Sequence, residues 1–392
     1  MAKENKLHIG IYGRRNVGKS SLINFLTGQQ VAIVSEQKGT TTDPVKRSFE
    51  ILGIGPVIFI DTAGIDDESE LGQARIVKTN DTINTIDFAI IVTDDIDLGH
   101  YENDLISALK KVDVSFILVY NKSDLYPANA KDKINQPLPH IFISTKNEQD
   151  RDILIGFIKK QLPQQNTLTL LGDLLKQGDI VLLITPIDNE APQGRLILPQ
   201  VTAIRDILDN NAVAIVLKEN EVSRFLEASR IKPALAVTDS QIFKQANELI
   251  PKDISLTSFS ILMARMKGNF ETYLQGVHKI SELKDGDRVL MLENCSHQSS
   301  CDDIGREKIP AWIRKFTGKQ LEFDMVQGLD MLTRPVTDYA LAIQCGGCMV
   351  THRQLLNRLK PVIGAGVLVT NYGMAIAYTQ GIFKRATELF VK

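Results

Sequence analysis

The feature that most constrains this chain is a short run near its start, Gly13-Arg14-Arg15-Asn16-Val17-Gly18-Lys19-Ser20, which fits G-x-x-x-x-G-K-[ST]. Such a run has chemical meaning only where an apolar strand ends and a helix begins. There the loop's backbone N–H groups and the helix N-terminus together cradle an anion. Residues Leu7–Tyr12 before it are apolar on both faces, and Ser21–Leu26 after it read as helical. In that setting Gly13, Asn16, Val17, Gly18, Ser20 and Ser21 surround phosphates. Lys19 reaches the β/γ oxygens and Ser20 holds Mg2+. A chain that starts this way is committed to a mostly parallel sheet with right-handed crossovers.

Further segments supply what the loop lacks. Asp61-Thr62-Ala63-Gly64 follows the strand-like Val57–Ile60, which puts Asp61 near the Mg2+ shell and the Gly64 N–H where a γ-phosphate would sit. Thr41, within Gly39-Thr40-Thr41-Thr42-Asp43, is placed to close over the same ion. Phe88–Val92 reads as another strand, and Asn121-Lys122-Ser123-Asp124 follows a further one, Phe116–Tyr120. A carboxylate at Asp124 accepts from both N1–H and N2–H2 of guanine, a pair that adenine does not offer, so the expected nucleotide is GTP. Ser144-Thr145-Lys146, after His140–Ile143, would back the base. Lys19, Thr41 and Gly64 are expected to act on the reacting phosphate. Ile65 stands where a water-orienting glutamine would be needed, so slow intrinsic hydrolysis is expected.

This segment resembles the translation-factor-related GTPases, nearest to the branch of the tRNA-modifying GTPase MnmE. The resemblance implies a K+ ion at Asn16 standing in for an arginine finger; the alternative is that Asn16 only stabilises the turn.

Beyond a polar, proline-led stretch at 163–172, Ile180–Ile184, Ala212–Leu217 and Ala234–Val237 read as strands. They alternate with helical patterns at Val201–Leu208, Glu221–Ala228 and Gln241–Leu249. No catalytic constellation accompanies them, which suits an interface or spacer unit. Further on, Arg288–Leu292 and Tyr339–Ile343 read as strands that end just before cysteines. The four cysteines of the chain are Cys295, Cys301, Cys345 and Cys348, so residues 1–294 contain none. Clustering of this kind in a chain without a secretion-like start points to metal or redox chemistry and a cytoplasmic location. Cys295-Ser296-His297 and Cys345-Gly346-Gly347-Cys348 offer three thiolates plus a further ligand. That set suits a [4Fe–4S] cluster or a tetrahedral zinc, and spacing does not separate the two.

Formal charge is −2, and no basic block exceeds a pair such as Arg14-Arg15. A protein that grips a nucleic-acid backbone needs many more cations on one face, so no nucleic-acid partner is expected. The 23 residues from Pro361 to Phe383 carry no charge, but four glycines and Thr370-Asn371-Tyr372 interrupt them. They read as a buried strand, turn and helix, and no membrane association is expected. Trp312 and Val362–Val369 are expected in the core.

The order of these parts resembles the HydF family of [FeFe]-hydrogenase maturation factors, with the cysteine spacing as the discriminating part. The resemblance implies an α/β architecture: a Ras-like P-loop GTPase domain (1–165), a middle α/β dimerisation domain (173–260) and a cluster-binding α/β domain (261–392). It implies a [4Fe–4S] cluster on Cys295, Cys345 and Cys348, and His297 is the family-pattern candidate for the fourth position. It also implies a transient di-iron subcluster as cargo, radical-SAM maturases and apo-[FeFe]-hydrogenase as partners, and a homodimer. One departure stands out. Many members carry a histidine directly before Cys-x-x-Cys, where this chain has Gln344, a poor iron ligand. Cys301, Asp302, Asp303, water or the cargo could fill the place instead. Two rivals remain: a ribosome- or tRNA-associated GTPase with structural zinc, and a GTP-driven zinc or nickel chaperone. The latter normally shows histidine-rich tracts, and six scattered histidines do not make one.

Overall fold

Parallel strands buried on both faces organise the molecule. The structure, a computed structural model, describes residues 7–28, 45–61, 82–127, 137–162, 169–187, 196–293, 303–328, 330, 332, 334–347 and 350–391. The chain forms two compact units, Lys3–Asn166 and Thr167–Lys392.

In the first unit the strands are β1 (Leu7–Tyr12), β2 (Val45–Ile51), β3 (Gly55–Asp61), β4 (Phe88–Thr93), β5 (Ser115–Tyr120) and β6 (His140–Phe142). They lie in the order β2-β3-β1-β4-β5-β6, all parallel except β2, which runs antiparallel to β3. Helices α1 (Lys19–Thr27), α2 (His100–Lys111) and α3 (Gln149–Gln161) cover the sheet. One face packs Ile9, Ile11, Phe59, Phe88 and Val119 against Leu22, Leu26, Leu154 and Ile158. The other packs Tyr12, Ile60, Ile91 and Leu118 against Leu105 and Leu109. All six residues of β4 are buried, so polar chemistry on this strand can appear only where the chain leaves the sheet.

The second unit contains two four-stranded, all-parallel sheets. The first is built from β7 (Ile180–Ile184), β8 (Val213–Leu217), β9 (Leu235–Thr238) and β10 (Ser255–Ser258), in the order β10-β9-β7-β8. The second is built from β11 (Arg288–Glu293), β12 (Glu322–Gln327), β13 (Leu341–Gln344) and β14 (Leu368–Asn371), in the order β12-β11-β13-β14. Each sheet therefore has its second strand outside its first, with the third and fourth strands on the other side. The same topology occurs twice in tandem, although no fixed-period repeat is visible in the sequence.

The connecting helices are α4 (Leu198–Asp209), α5 (Val222–Ser229), α6 (Phe243–Leu249), α7 (Phe259–Lys267), α8 (Phe270–Gly276), α9 (Ile309–Thr317), α10 (His352–Gly364), α11 (Tyr372–Thr379) and α12 (Phe383–Thr387). The two sheets share apolar packing: Leu182, Ile184 and Ala236 belong to one buried cluster with Leu290, Leu292 and Ile343. Polar ties reinforce it. Thr257 Oγ1 donates to the Ala386 carbonyl at 2.9 Å. Arg385 on α12 donates to the carbonyls of Asn247, Ile250, Pro251 and Ile254. The domain boundary expected at 260–261 falls inside α7, in a region where the two sheets are not separate bodies.

Three strands escape the sequence pattern: β2, β10 and β12. All are edge strands, where apolar alternation is relaxed. The Val362–Val369 segment does not belong to the core as a whole. It spans the end of α10, a turn and the start of β14, with Ile363 40% and Leu368 43% exposed; only Val362 and Val369 are buried. Nor does a turn follow β14, because Tyr372 begins α11 directly after Asn371. Trp312 is half-buried against the core. Among the described residues, no helix is long and apolar enough to cross a membrane.

Arg385→Ala leaves several inward-facing carbonyls without their donor. It should cost the second unit about 1–3 kcal/mol, read as a lower urea midpoint.

Candidate functional site

The nucleotide site is assembled from the carboxyl ends of neighbouring strands. β1 ends at Tyr12, and the loop to α1 folds tightly against β4. A Cβ on Gly13 would lie 2.2 Å from the Val92 carbonyl oxygen, and one on Gly18 would lie 2.2 Å from Asn121 Nδ2. Both glycines also adopt positive φ, at 147° and 100°, where a side chain is strained. Gly18 is the N-cap of α1, and Leu22 N–H donates to its carbonyl at 2.8 Å. Lys19 is buried. Its Nζ donates to the Gly13 carbonyl and, at 2.9 Å, to that of Arg14, so the ammonium lies curled over the loop it serves. Ser20 and Ser21 are exposed in the first turn of α1.

Asn16 sits in the left-handed region at φ 65°, a conformation asparagine tolerates, and its carbonyl accepts from Lys122 Nζ at 2.9 Å. Lys122 also pairs with Asp94 at 2.6 Å, just beyond β4. Asn121 is buried and donates from Nδ2 to the Val17 carbonyl at 2.9 Å. The segment expected to select the base and the phosphate loop thus brace one another. Asp94 was missed in the sequence; its only signal was its place directly after a buried strand.

Ser144 Oγ donates to Asp124 Oδ1 at 2.7 Å, and Lys146 Nζ approaches Oδ2 at 3.4 Å. The Ser144 hydroxyl, with help from Lys146, holds the Asp124 carboxyl below its ordinary pKa. An ionised, oriented carboxylate is what an acceptor for two guanine N–H groups requires. Thr145 is half-buried beside them. Asp61 ends β3 opposite Ile11 of β1, so β3 leaves the sheet beside the phosphate loop. Thr41 and Gly64 lie outside the described residues.

The second site lies in the sheet β12-β11-β13-β14. Its connections run to opposite sides from β11 and β13, which makes the gap between these two adjacent strands a topological switch point. In open α/β sheets ligands bind beyond the carboxyl ends at such points. Leu292 pairs with Gln344, and Cys345 follows Gln344 immediately. Cys345 N–H donates to the Leu292 carbonyl at 3.0 Å. Cys295, His297, Cys301, Asp302 and Cys348 lie outside the described residues. Among the described residues no group of three His, Cys, Asp or Glu gathers at metal-holding distance.

Gln344 is fully buried and its amide is occupied. Tyr273 OH donates to its Oε1 at 2.5 Å, and its Nε2 donates to the Leu355 carbonyl at 3.3 Å. Asp303 caps the following turn, with Oδ1 accepting from the N–H groups of Gly305 and Arg306. His352 is exposed and donates from Nδ1 to the Lys267 carbonyl at 2.6 Å.

Three residues not singled out in the sequence bear on Cys345 or on the loop that follows it. Arg358 on α10 donates to the carbonyls of Glu293 and Val326, both at 2.5 Å, and burial lowers its pKa against an upward pull from Cys345. The buried Lys267 donates to the carbonyls of Gly347 and Val350, at 3.3 and 3.1 Å. Tyr372 lies at the start of α11 with its hydroxyl buried and, among the described residues, without a hydrogen-bond partner. Burial raises its pKa well above the usual tyrosine range, and a Cys345 thiolate raises it further.

The fold and the first site define a P-loop protein with a GTPase domain. Residues 8–122 match the model described as 50S ribosome-binding GTPase. Residues 170–268 match the hydrogen maturase F dimerization domain, and residues 271–389 the hydrogen maturase F tetramerization domain. The chain belongs to the hydrogen maturase F family.

Curated relatives resemble the GTPase part. The tRNA modification GTPase MnmE of Natranaerobius thermophilus is 36% identical over 148 residues, covering 37% of this chain and 32% of its own. GTPase Era of Caldicellulosiruptor saccharolyticus is 31% identical over 166 residues, or 40% of this chain and 55% of its own. GTPase Der of Kosmotoga olearia is 34% identical over 138 residues, or 34% and 31%. The chain thus spans about a third to a half of these relatives' lengths. Among solved structures, Era of Aquifex aeolicus aligns with 56% of this chain and 97% of its own at 20% identity and a TM-score of 0.33. That superposition is too loose to carry an argument.

Asp124→Asn replaces an oriented anion by an amide and should weaken GTP binding by at least about tenfold, or 1.4 kcal/mol, in titration calorimetry. In the unaltered protein the depressed Asp124 pKa fixes the sign of the pH effect. Guanine affinity should hold above the ordinary aspartate range and fall only as pH drops through the lowered value.

Proposed function

We propose that this chain is a GTP-hydrolysing iron–sulfur scaffold: it holds a [4Fe–4S] cluster, assembles a di-iron subcluster as cargo, and delivers that cargo to apo-[FeFe]-hydrogenase. Radical-SAM maturases are the proposed suppliers, and the cytoplasm is the proposed site of action. The observation that carries this reading is the placement of Cys345 at the β11/β13 switch point, within the part of the chain matched by the hydrogen maturase F models. The adjacent parallel strand β11 ends at Glu293, two residues before Cys295 in the sequence.

The residues around Cys345 fit a sulfur-bound anionic group. Thiolates are soft ligands, the Arg358 guanidinium places positive charge near Cys345, the Lys267 ammonium holds the Gly347 and Val350 carbonyls of the loop after it, and the Tyr372 hydroxyl, unpartnered among the described residues, offers a donor. Cys295, Cys345 and Cys348 would hold the cluster. When bound, it supplies an iron whose remaining position can accept and release a bridging ligand. Gln344 is excluded from that position by its own hydrogen bonds, and Asp303 is engaged as a cap. His297 remains the proposed fourth ligand, with Cys301 and Asp302 as alternatives.

In the GTPase part, Lys19 neutralises the β/γ oxygens, Ser20, Thr41 and Asp61 hold Mg2+, and the Gly64 N–H meets the γ-phosphate. Gly13, Val17, Gly18 and Ser21 line the phosphates. Asn121, Lys122 and Asp124 select the base, with Ser144, Thr145 and Lys146 behind it. Asn16 is proposed to hold a K+ ion that stabilises charge on the transferred phosphoryl group. The division 1–165, 173–260 and 261–392 is proposed as a division of labour among nucleotide, association and cluster chemistry. The descriptions of the two family models support self-association through both later segments.

Anaerobic reconstitution tests the scaffold reading. About four irons and four acid-labile sulfides per chain are expected, falling sharply in Cys345→Ser. Stoichiometric zinc without sulfide would instead favour a ribosome- or tRNA-associated GTPase with a structural metal. For the nucleotide site, GTP turnover in KCl should exceed that in NaCl several-fold. Lys19→Ala should abolish turnover in both salts.

A further inference from the structure

The Tyr372 side chain is 8% exposed, and among the described residues its hydroxyl has no hydrogen-bond partner. A buried hydroxyl in that condition carries a full desolvation penalty, so an orphan of this kind calls for an explanation.

Its position supplies one. Gln344 of β13 pairs with Asn371 of β14, so Cys345 and Tyr372 are the next residues along two adjacent strands. Asn371 fixes the backbone there. Its Oδ1 accepts from Gly373 N–H at 2.8 Å, and its Nδ2 donates to the Gln344 carbonyl at 3.2 Å. The phenol then packs so closely on Gly305 that a Cβ there would sit 2.5 Å from the hydroxyl oxygen. Cys345, Glu293, Asp303 and Arg358 lie near enough to act on it electrostatically.

We infer that the Tyr372 hydroxyl is a positioning donor for the cysteine centre, giving its hydrogen bond to a sulfur of the bound group or of Cys345. This inference rests on the cluster reading above. A donor to sulfur stabilises the more negative, reduced state, so its loss should lower the reduction potential. A phenol that is only a packing element would not move the potential.

The test compares wild type with Tyr372→Phe, each metal-free and after anaerobic reconstitution. In metal-free protein, Tyr372→Phe removes an orphaned polar atom and should raise Tm. In reconstituted protein the gain should vanish or reverse. The EPR-monitored midpoint should fall by at least a threefold change in the one-electron equilibrium, about 28 mV. Iron and sulfide content should match wild type. Gly305→Ala, which crowds the same hydroxyl, should lower the midpoint in the same direction. Equal midpoints in wild type and Tyr372→Phe, with iron and sulfide bound in both, overturn the donor role and leave the scaffold reading standing. Loss of iron from Tyr372→Phe alone would make the phenolate a ligand and also overturn the donor role. Failure of the wild type to take up iron and sulfide overturns both.

Discussion

A parallel strand buried on both faces can present chemistry only where it leaves the sheet, and this constraint places both sites of the molecule. β4 is buried from end to end and apolar up to its last residue, Thr93, and the central strands β1, β11 and β13 are close to it. Backbone groups at the strand termini therefore do much of the holding. The Val92 carbonyl limits what can stand at Gly13, and the Leu292 carbonyl fixes the N–H of Cys345. Side chains with charge or reactivity collect in the first residues beyond each strand: Lys19, Asp94, Asp124, Ser144 and Cys345.

The two sites differ in how they treat charge. At the nucleotide site Lys19 rests on loop carbonyls, contacts that an incoming phosphate can replace, while Lys122 rests on a carboxylate and a carbonyl. At the cysteine site Arg358 and Lys267 are pinned to main-chain carbonyls that belong to the walls of the site itself. The first arrangement suits a ligand that exchanges during turnover. The second suits a resident group whose surroundings must keep their shape, because a guanidinium fixed at two carbonyls is already oriented before any anion arrives.

The second unit shows why one strand order can serve two ends. Its sheets have the same second-first-third-fourth topology, yet among the described residues a cysteine, Cys345, stands only at the switch point of the later one. The earlier sheet ends its equivalent strands at Ile184 and Thr238, with Asp239 committed to capping and Ser240 bonded to Ser258. Sharing Leu182 and Ile184 with Leu290 and Leu292 in one apolar cluster makes the earlier sheet a buttress for the later one. Lys267, from the helix after β10, carries that support to the loop of the second cysteine pair.

The sequence by itself determined the nucleotide part of the candidate site and most of the strands that carry it, because phosphate and guanine recognition use contiguous residues at fixed offsets from buried apolar runs. Gly13–Ser20, Asn121–Asp124 and Ser144–Lys146 are each legible alone, and the structure brings them together through the strand order. The edge strands β2, β10 and β12 were not legible, since an edge tolerates Lys46, Arg47, Thr257 or Asp324 where a central strand demands hydrocarbon. Nor could the sequence show that 173–260 and 261–392 share a core, because an interior face looks the same whichever partner covers it. The surroundings of Cys345 were decided only by tertiary structure. Tyr372, Arg358 and Lys267 are distant from it in the chain and resemble ordinary helix residues; pairing of β13 with β14 and the packing of α7 and α10 bring a phenol and a guanidinium to the thiol and an ammonium to the loop that follows it.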